Sequence, residues 1–261
     1  MTVFLHEMKR GRLSLIIWSL ALSFMLAVCI IIYPEMSSQM SEIGDMFADM
    51  GGFSEAFGMD QVNFGDFLGY FSIECGNTLG LGGAFFAAIL GISTLAKEEK
   101  DRTAEFLLTH PISRARVLTE KIAALVAQIF ILTAAVLATC AVFILIIGEE
   151  APIDTVLLLF LSHFLMMVEI AVITFGISAF IKRGGLGIGL GVAVGFYFLN
   201  ILSNLTDEVE FLRYVTPFGY ADGTDIVANN SIDGVCLLIG ALICGAFCFL
   251  AYFKYTKKDI S

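Results

Sequence analysis

The sequence predicts an all-α polytopic membrane protein of six transmembrane helices. Of its 261 residues 58% are hydrophobic and 15% charged, and the mean hydropathy is +0.87. Soluble domains are about 45–50% apolar and about 25% charged. Six apolar runs are each long enough to cross a hydrocarbon core, which needs roughly 20 residues of helix. Strands are too short to account for runs of this length, and inside a bilayer a helix satisfies its own backbone.

The runs fall at about 13–33, 72–96, 117–147, 153–181, 184–203 and 233–255. Lys9, Arg10 and Arg12 precede the first run, as in a signal peptide. The run is too long for a signal h-region, no small-x-small site follows, and Pro34-Glu35-Met36 marks its end, so it is expected to be retained. Orientation follows from Lys and Arg near the span ends. Three precede the first span, six lie in 97–121, two (Lys182, Arg183) separate spans four and five, and three follow the sixth. Of all 15, only Arg213 falls on the other side, so both termini are expected in the cytoplasm. The opposite face is acidic. Residues 34–71 carry seven carboxylates and no Lys or Arg, and 204–232 adds Asp207, Glu208, Glu210, Asp222 and Asp225. Such a face is ordinary solvated surface, or it attracts cations.

The two outer loops, 34–71 and 204–232, mix Met, Phe and Tyr with acids, and EFLRYVTPFGYAD suits an ordered lid at or partly in the outer interface. Asn204-Leu205-Thr206 and Asn229-Asn230-Ser231 match the glycosylation pattern but carry no functional weight. The six cysteines lie in or beside apolar runs without a CxxC pair, and the three histidines are scattered. These are buried thiols rather than a metal site.

Enzyme signatures fail at their spacing. The chain has no GxxxxGK[ST], HExxH or GxSxG, so it does not hydrolyse ATP by itself. Glu98-Glu99 with Arg102 is one residue short of the EExxxR pattern of intramembrane prenyl-protein proteases. Within the spans, Glu169 is the clearest intramembrane charge. Either it is hydrogen-bonded across a helix interface or it lines a translocation path. His163 lies on the same helix, about 240° around it at 100° per residue, so the two do not share a face. Glu74 sits near the outer start of the second span. Gly187, Gly191 and Gly195 form a smooth strip on the fifth, suited to close approach by another helix, usually of the same chain and less often of a second copy.

The remaining anomaly is KEEKDRTAEFLLTHPISRARVLTEK at 97–121. Ala104, Phe106, Leu107 and Leu108 suit a short amphipathic helix, Pro111 disfavours helix at His110, and Ser113 is a good N-cap for the third span. The segment EEKDRTAEFLLTHPISR fits E-x-x-x-x-T-x-E-x-L-L-x-x-P-[IV]-S-R. It resembles the hairpin between spans two and three in the permease subunits of type-2 ATP-binding-cassette (ABC) exporters. The resemblance covers the whole chain: a basic N-terminal interfacial helix (TVFLHEMKRGR), six spans, the hairpin at 97–116 and TPFGYAD before the last span. In that family the hairpin is a coupling helix seated in the ATPase subunit. Carried over, Glu98, Glu99, Asp101, Arg102, Thr103, Glu105, Phe106, Leu107 and Leu108 are the docking element. Pro111, Ser113 and Arg114 make the turn into span three. Arg102 stands where relatives often have glycine, which shifts the start of the coupling helix by a few residues.

The resemblance implies a single permease domain over 1–261 in a bacterial plasma membrane, forming half of a translocation pathway. It implies separate ATPase subunits that use ATP and Mg, a second permease copy or homologue, surrounding lipid, and neither a cofactor on this chain nor a nucleic-acid partner. The outer loops suit a drug, an antimicrobial peptide or another amphipathic cargo. A stand-alone secondary transporter or channel using Glu169, and a scaffold or sensor that binds a soluble partner, are the alternatives.

Overall fold

The computed structural model describes residues 2–48, 66–100, 113–181 and 185–257. Among them there is no strand. Helix α1 is Thr2–Ala48. The second span is composite: α2 (Phe67–Cys75), a π-helical stretch (Gly76–Leu81) and α3 (Gly82–Lys100). Then come α4 (Arg114–Ile147), α5 (Ile153–Ser178) and α6 (Leu186–Leu205). Two 3-10 turns (Asp207–Tyr214 and Pro217–Tyr220), α7 (Gly223–Asn229) and α8 (Gly234–Lys257) complete the chain. Six of these helical stretches are long and apolar enough to cross a membrane. The chain is therefore a multi-pass membrane protein.

The six alternate in direction. The start of α1, the end of α3, the start of α4 and the end of α8 gather at one end, called here the hairpin end. The second span and α5 form the centre, with 67% of their most apolar windows buried, against 17% in α6 and α8. Leu145, Leu242 and Phe249 on the outer helices are exposed, as expected of surfaces solvated by lipid tails rather than water.

Apolar side chains gain little by leaving lipid for protein, so close backbone approach must hold such a bundle. Gly91 shows this at the α3–α5 seam. A Cβ there would lie 2.2 Å from the Ala171 carbonyl oxygen, so a side chain would force the helices apart.

Two elements depart from the expectations. The N-terminal segment is not a separate helix but the first turns of α1, running alongside α4. Glu120 Oε2 accepts the Val3 and Phe4 amides at 3.1 and 3.3 Å. It thereby satisfies orphan donors at a helix start and places a carboxylate at the positive end of the dipole. Pro34 does not end the first helix either, since α1 continues through it to Ala48. Proline removes one ladder bond, and neighbouring packing supports this stretch. Tyr33 meets Phe67 edge-on at 5.1 Å, and the Tyr70 hydroxyl donates to the Cys29 carbonyl at 3.3 Å. The same contacts explain why the second helix starts at Phe67, ahead of its most apolar run.

The segment after α6, expected as an ordered outer lid, is a strap folded into the bundle. Thr216 Oγ1 donates to the Phe196 carbonyl at 2.9 Å, a point about 13 Å along α6 from its end at 1.5 Å per residue. Pro217, Phe218, Gly219 and Tyr220 are buried. The chain then returns through α7 to Asn230, which adopts a left-handed φ of 46°. Its amide accepts from Thr155 Oγ1 at 2.9 Å and donates to Asp154 at 3.1 Å, fixing the strap to the first turn of α5. Asparagine tolerates this conformation better than other side-chain-bearing residues.

Candidate functional site

Among the described residues, three places draw together polar chemistry: the hairpin end, a buried carboxyl, and a cleft beside the strap.

At the hairpin end, Ser113 caps α4 and accepts the Arg116 amide at 3.3 Å. Arg114 reaches the last turn of α8 and donates to the Tyr255 and Thr256 carbonyls at 3.3 and 3.1 Å, where a cation also meets the negative end of the helix dipole. Thr119 Oγ1 pairs with the Tyr252 hydroxyl at 2.7 Å. Lys121 has a fully buried side chain. Its ammonium donates to Glu7 Oε1 at 2.5 Å and to the Thr94 carbonyl at 3.2 Å. One lysine thus links α1, α3 and α4, while Arg114 links α4 to α8. Of the docking residues, Glu98 and Glu99 lie in the last turns of α3, where only the backbone is described, and Asp101 through Pro111 lie outside the described residues. The two ends of the hairpin are therefore fixed to each other and to the first and last helices.

Glu169, on α5, is 3% exposed and accepts a 2.7 Å hydrogen bond from the Tyr220 hydroxyl. It faces α8 at Gly240, where a Cβ would lie 2.3 Å from Oε2. The bond is the kind the first of the two readings calls for, and Glu169 is not among the residues lining the cleft described next. Glu74 is half-buried and accepts from the Cys29 thiol at 3.4 Å.

The cleft has a volume of about 60 Å³ and lies between the π-helical stretch, α5, α6 and the strap. His163 forms part of its wall with Asn77, Asn200, Asn204, Asp222 and Thr224. The ring is 1% exposed, and its Nδ1 lies 2.7 Å from the Leu159 carbonyl. A carbonyl only accepts, so Nδ1 carries the proton there. Nε2 is buried without a partner among the described residues. Asp222 Oδ1 caps α7 by accepting from the Thr224 amide and hydroxyl at 3.0 and 2.6 Å. One turn further on, Asp225 pairs with Arg213. Burial and then the neighbouring Asp222 raise the Asp225 carboxyl above its ordinary range, even against Arg213. The strap thus concentrates negative charge. Asn77 and Asn200 carried no motif that would have singled them out and Asn204 only the glycosylation pattern given no functional weight, whereas His163 was visible as an ionisable side chain in an apolar run.

The glycine strip behaves differently from the common intramolecular case. A Cβ on Gly187, Gly191 or Gly195 would meet nothing within 4 Å, whereas one on Gly189 would lie 2.8 Å from Ile92 Cγ2. The face packed on α3 is that of Gly185, Gly189 and Ala193, and the longer strip is open.

The model of the ABC-2 family transporter protein matches residues 1–260. The chain belongs to the ABC-2 transporter family. No curated protein matches it. An ABC-2 chain is a membrane transport component rather than an enzyme, and membership implies partnership with ABC ATPase subunits.

Proposed function

We propose that this ABC-2 chain is the permease half of an ATP-driven exporter in a bacterial plasma membrane, with both termini in the cytoplasm. The 97–116 hairpin is its handle for separately encoded ATPase subunits, which bind the ATP and Mg. The observation that carries this reading is the polar fastening at the hairpin end. Lys121, Glu120 and Arg114 tie the flanks of the hairpin to α1 and α8, so a displacement of the hairpin is delivered to four helices together. ATP-driven closure would thereby bias the bundle between two arrangements.

Charge reversal of Glu98, Glu99 and Glu105 together is expected to reduce substrate-linked ATPase activity of the reconstituted complex by at least tenfold, through lost docking register. Unchanged assembly and activity would refute the docking element. The cargo is an amphipathic compound such as a drug or antimicrobial peptide. Resistance conferred on a susceptible strain against a panel of these is the corresponding test, and no protection against any of them counts against that assignment.

A second permease copy or a homologue would complete the pathway against the open face of α6. Gly187, Gly191 and Gly195 offer a backbone surface that another helix can approach closely. Gly191→Leu is expected to convert a dimer to monomers in single-particle mass measurements in nanodiscs, while Leu238→Ala on exposed α8 leaves it intact. A Gly191→Leu chain that remains dimeric places the interface elsewhere.

A further inference from the structure

We infer that the cleft between the π-helical stretch, α5, α6 and the strap is a binding site for a primary ammonium group, held by His163 Nε2 and Asp222.

The argument begins with the imidazole. Because Nδ1 donates to the Leu159 carbonyl at 2.7 Å, the neutral ring presents a lone pair at Nε2. That atom has no partner among the described residues. A buried polar atom left unpaired costs the desolvation of that group, and His163 stands in the wall of a cleft that also carries asparagine and aspartate side chains. The backbone beside it is arranged to leave room. Gly80, in the π-helical stretch, would place a Cβ 3.6 Å from Nε2, in van der Waals contact with it, so a methyl group there would cover part of that atom. Short π-helical stretches inside α-helices accompany functional sites more often than chance, and here Asn77 and Gly80 both reach the cleft.

The chemistry of the walls selects the occupant. No Lys or Arg lines the cleft, whereas Asp222 does; Asp225, one turn on, is already paired with Arg213. An anion would therefore meet a carboxylate and an acceptor nitrogen with no cation in the lining itself. A ligand that brings N–H donors and positive charge satisfies both. Asn77, Asn200 and Asn204 supply amides that can accept a further N–H. The volume of about 60 Å³ holds a small head group rather than a whole amphiphile, being room for a few water-sized groups. The ammonium is presented either by cationic cargo or by an aminophospholipid. Only its origin depends on the permease reading, because binding requires no ATPase.

The test uses the full chain, 15N-labelled at histidine, in nanodiscs of phosphatidylcholine and phosphatidylglycerol, which lack primary amines. Titration with n-butylammonium is expected to shift the His163 Nε2 resonance saturably, and butyltrimethylammonium, which has no N–H, is expected to leave it in place. Asp222→Asn keeps a side-chain oxygen to cap α7 and is expected to weaken the apparent Kd at least tenfold. Gly80→Ala should weaken the response. Discs that include phosphatidylethanolamine separate the two sources. A shift before any soluble amine is added identifies the lipid head group, and a shift only on adding amine identifies cargo. The proposal is overturned by no saturable shift from either source, by an equal shift with the trimethyl probe, or by an Asp222→Asn chain that binds as before. Charge reversal in the hairpin leaves the titration unchanged, so failure of ATPase coupling and failure of this site are told apart.

Discussion

Lys121→Met is expected to destabilise the chain by about 3 kcal/mol, at the lower end of the range for breaking a buried ion pair. The lysine side chain is fully buried and the Glu7 side chain is 17% exposed, so the stranded carboxylate recovers only part of its hydration. Methionine preserves most of the volume, which confines the loss to the ammonium and its bonds to Glu7 and the Thr94 carbonyl. Adding Glu7→Gln should restore a good part of the stability, since a neutral amide is far cheaper to leave in the same place. Unfolding of the purified chain in mixed micelles, run as a double-mutant cycle, measures the coupling. A loss under about 0.5 kcal/mol for Lys121→Met, near the scale of ordinary surface substitutions, would show that the pair does not hold α1 to the hairpin end. The same variant should uncouple ATPase activity from cargo if the hairpin transmits force through this fastening.

The spans were legible because a bilayer imposes a length and a composition that local sequence must meet. Ser113 was legible as a helix start for a similar reason, since a cap is a local device. What escaped was decided at a distance. Pro34 reads as a terminator, but α1 passes through it where Tyr33 and Cys29 meet Phe67 and Tyr70, which lie in the next helix. Gly185 and Gly189 have the same four-residue spacing as Gly187, Gly191 and Gly195. Two residues out of phase places the sets about 200° apart on the helix. Spacing thus reveals two glycine faces and leaves open which one meets α3. The sequence of α3 settles that through Ala88 and Ile92. The strap illustrates the same limit, because TPFGYAD gives no local sign that Tyr220 will find Glu169, 51 positions away. Asn77 and Asn200 became part of a cleft only once the π-helical stretch and the strap had brought their helices into place.

Gly240→Ala is expected to cost about 2 kcal/mol, within the range for leaving a buried polar group unsatisfied, although it adds only a methyl group to a helix. The new Cβ would lie 2.3 Å from Glu169 Oε2 and 2.9 Å from its carboxyl carbon, so the carboxyl group must move. In water a glutamate end would swing away at little expense. Here the residue is 3% exposed, and the oxygen that must move is the one accepting from Tyr220. Displacement therefore breaks that bond with no water to replace it. Tyr220→Phe removes the same bond without moving anything and should cost less, about 1 kcal/mol, in keeping with measured hydrogen bonds between membrane helices. The decisive comparison is Gly240→Ala in a Glu169→Ala background. With no carboxyl group to displace, the penalty of the methyl should vanish, and helix propensity alone would then favour alanine. An undiminished penalty would mean that Gly240 is needed for approach of the α8 backbone itself. The series also decides between the two roles of Glu169. A group that carries ions must change the ion dependence of transport when Tyr220 is lost, whereas an interface bond changes stability and leaves that dependence as it was.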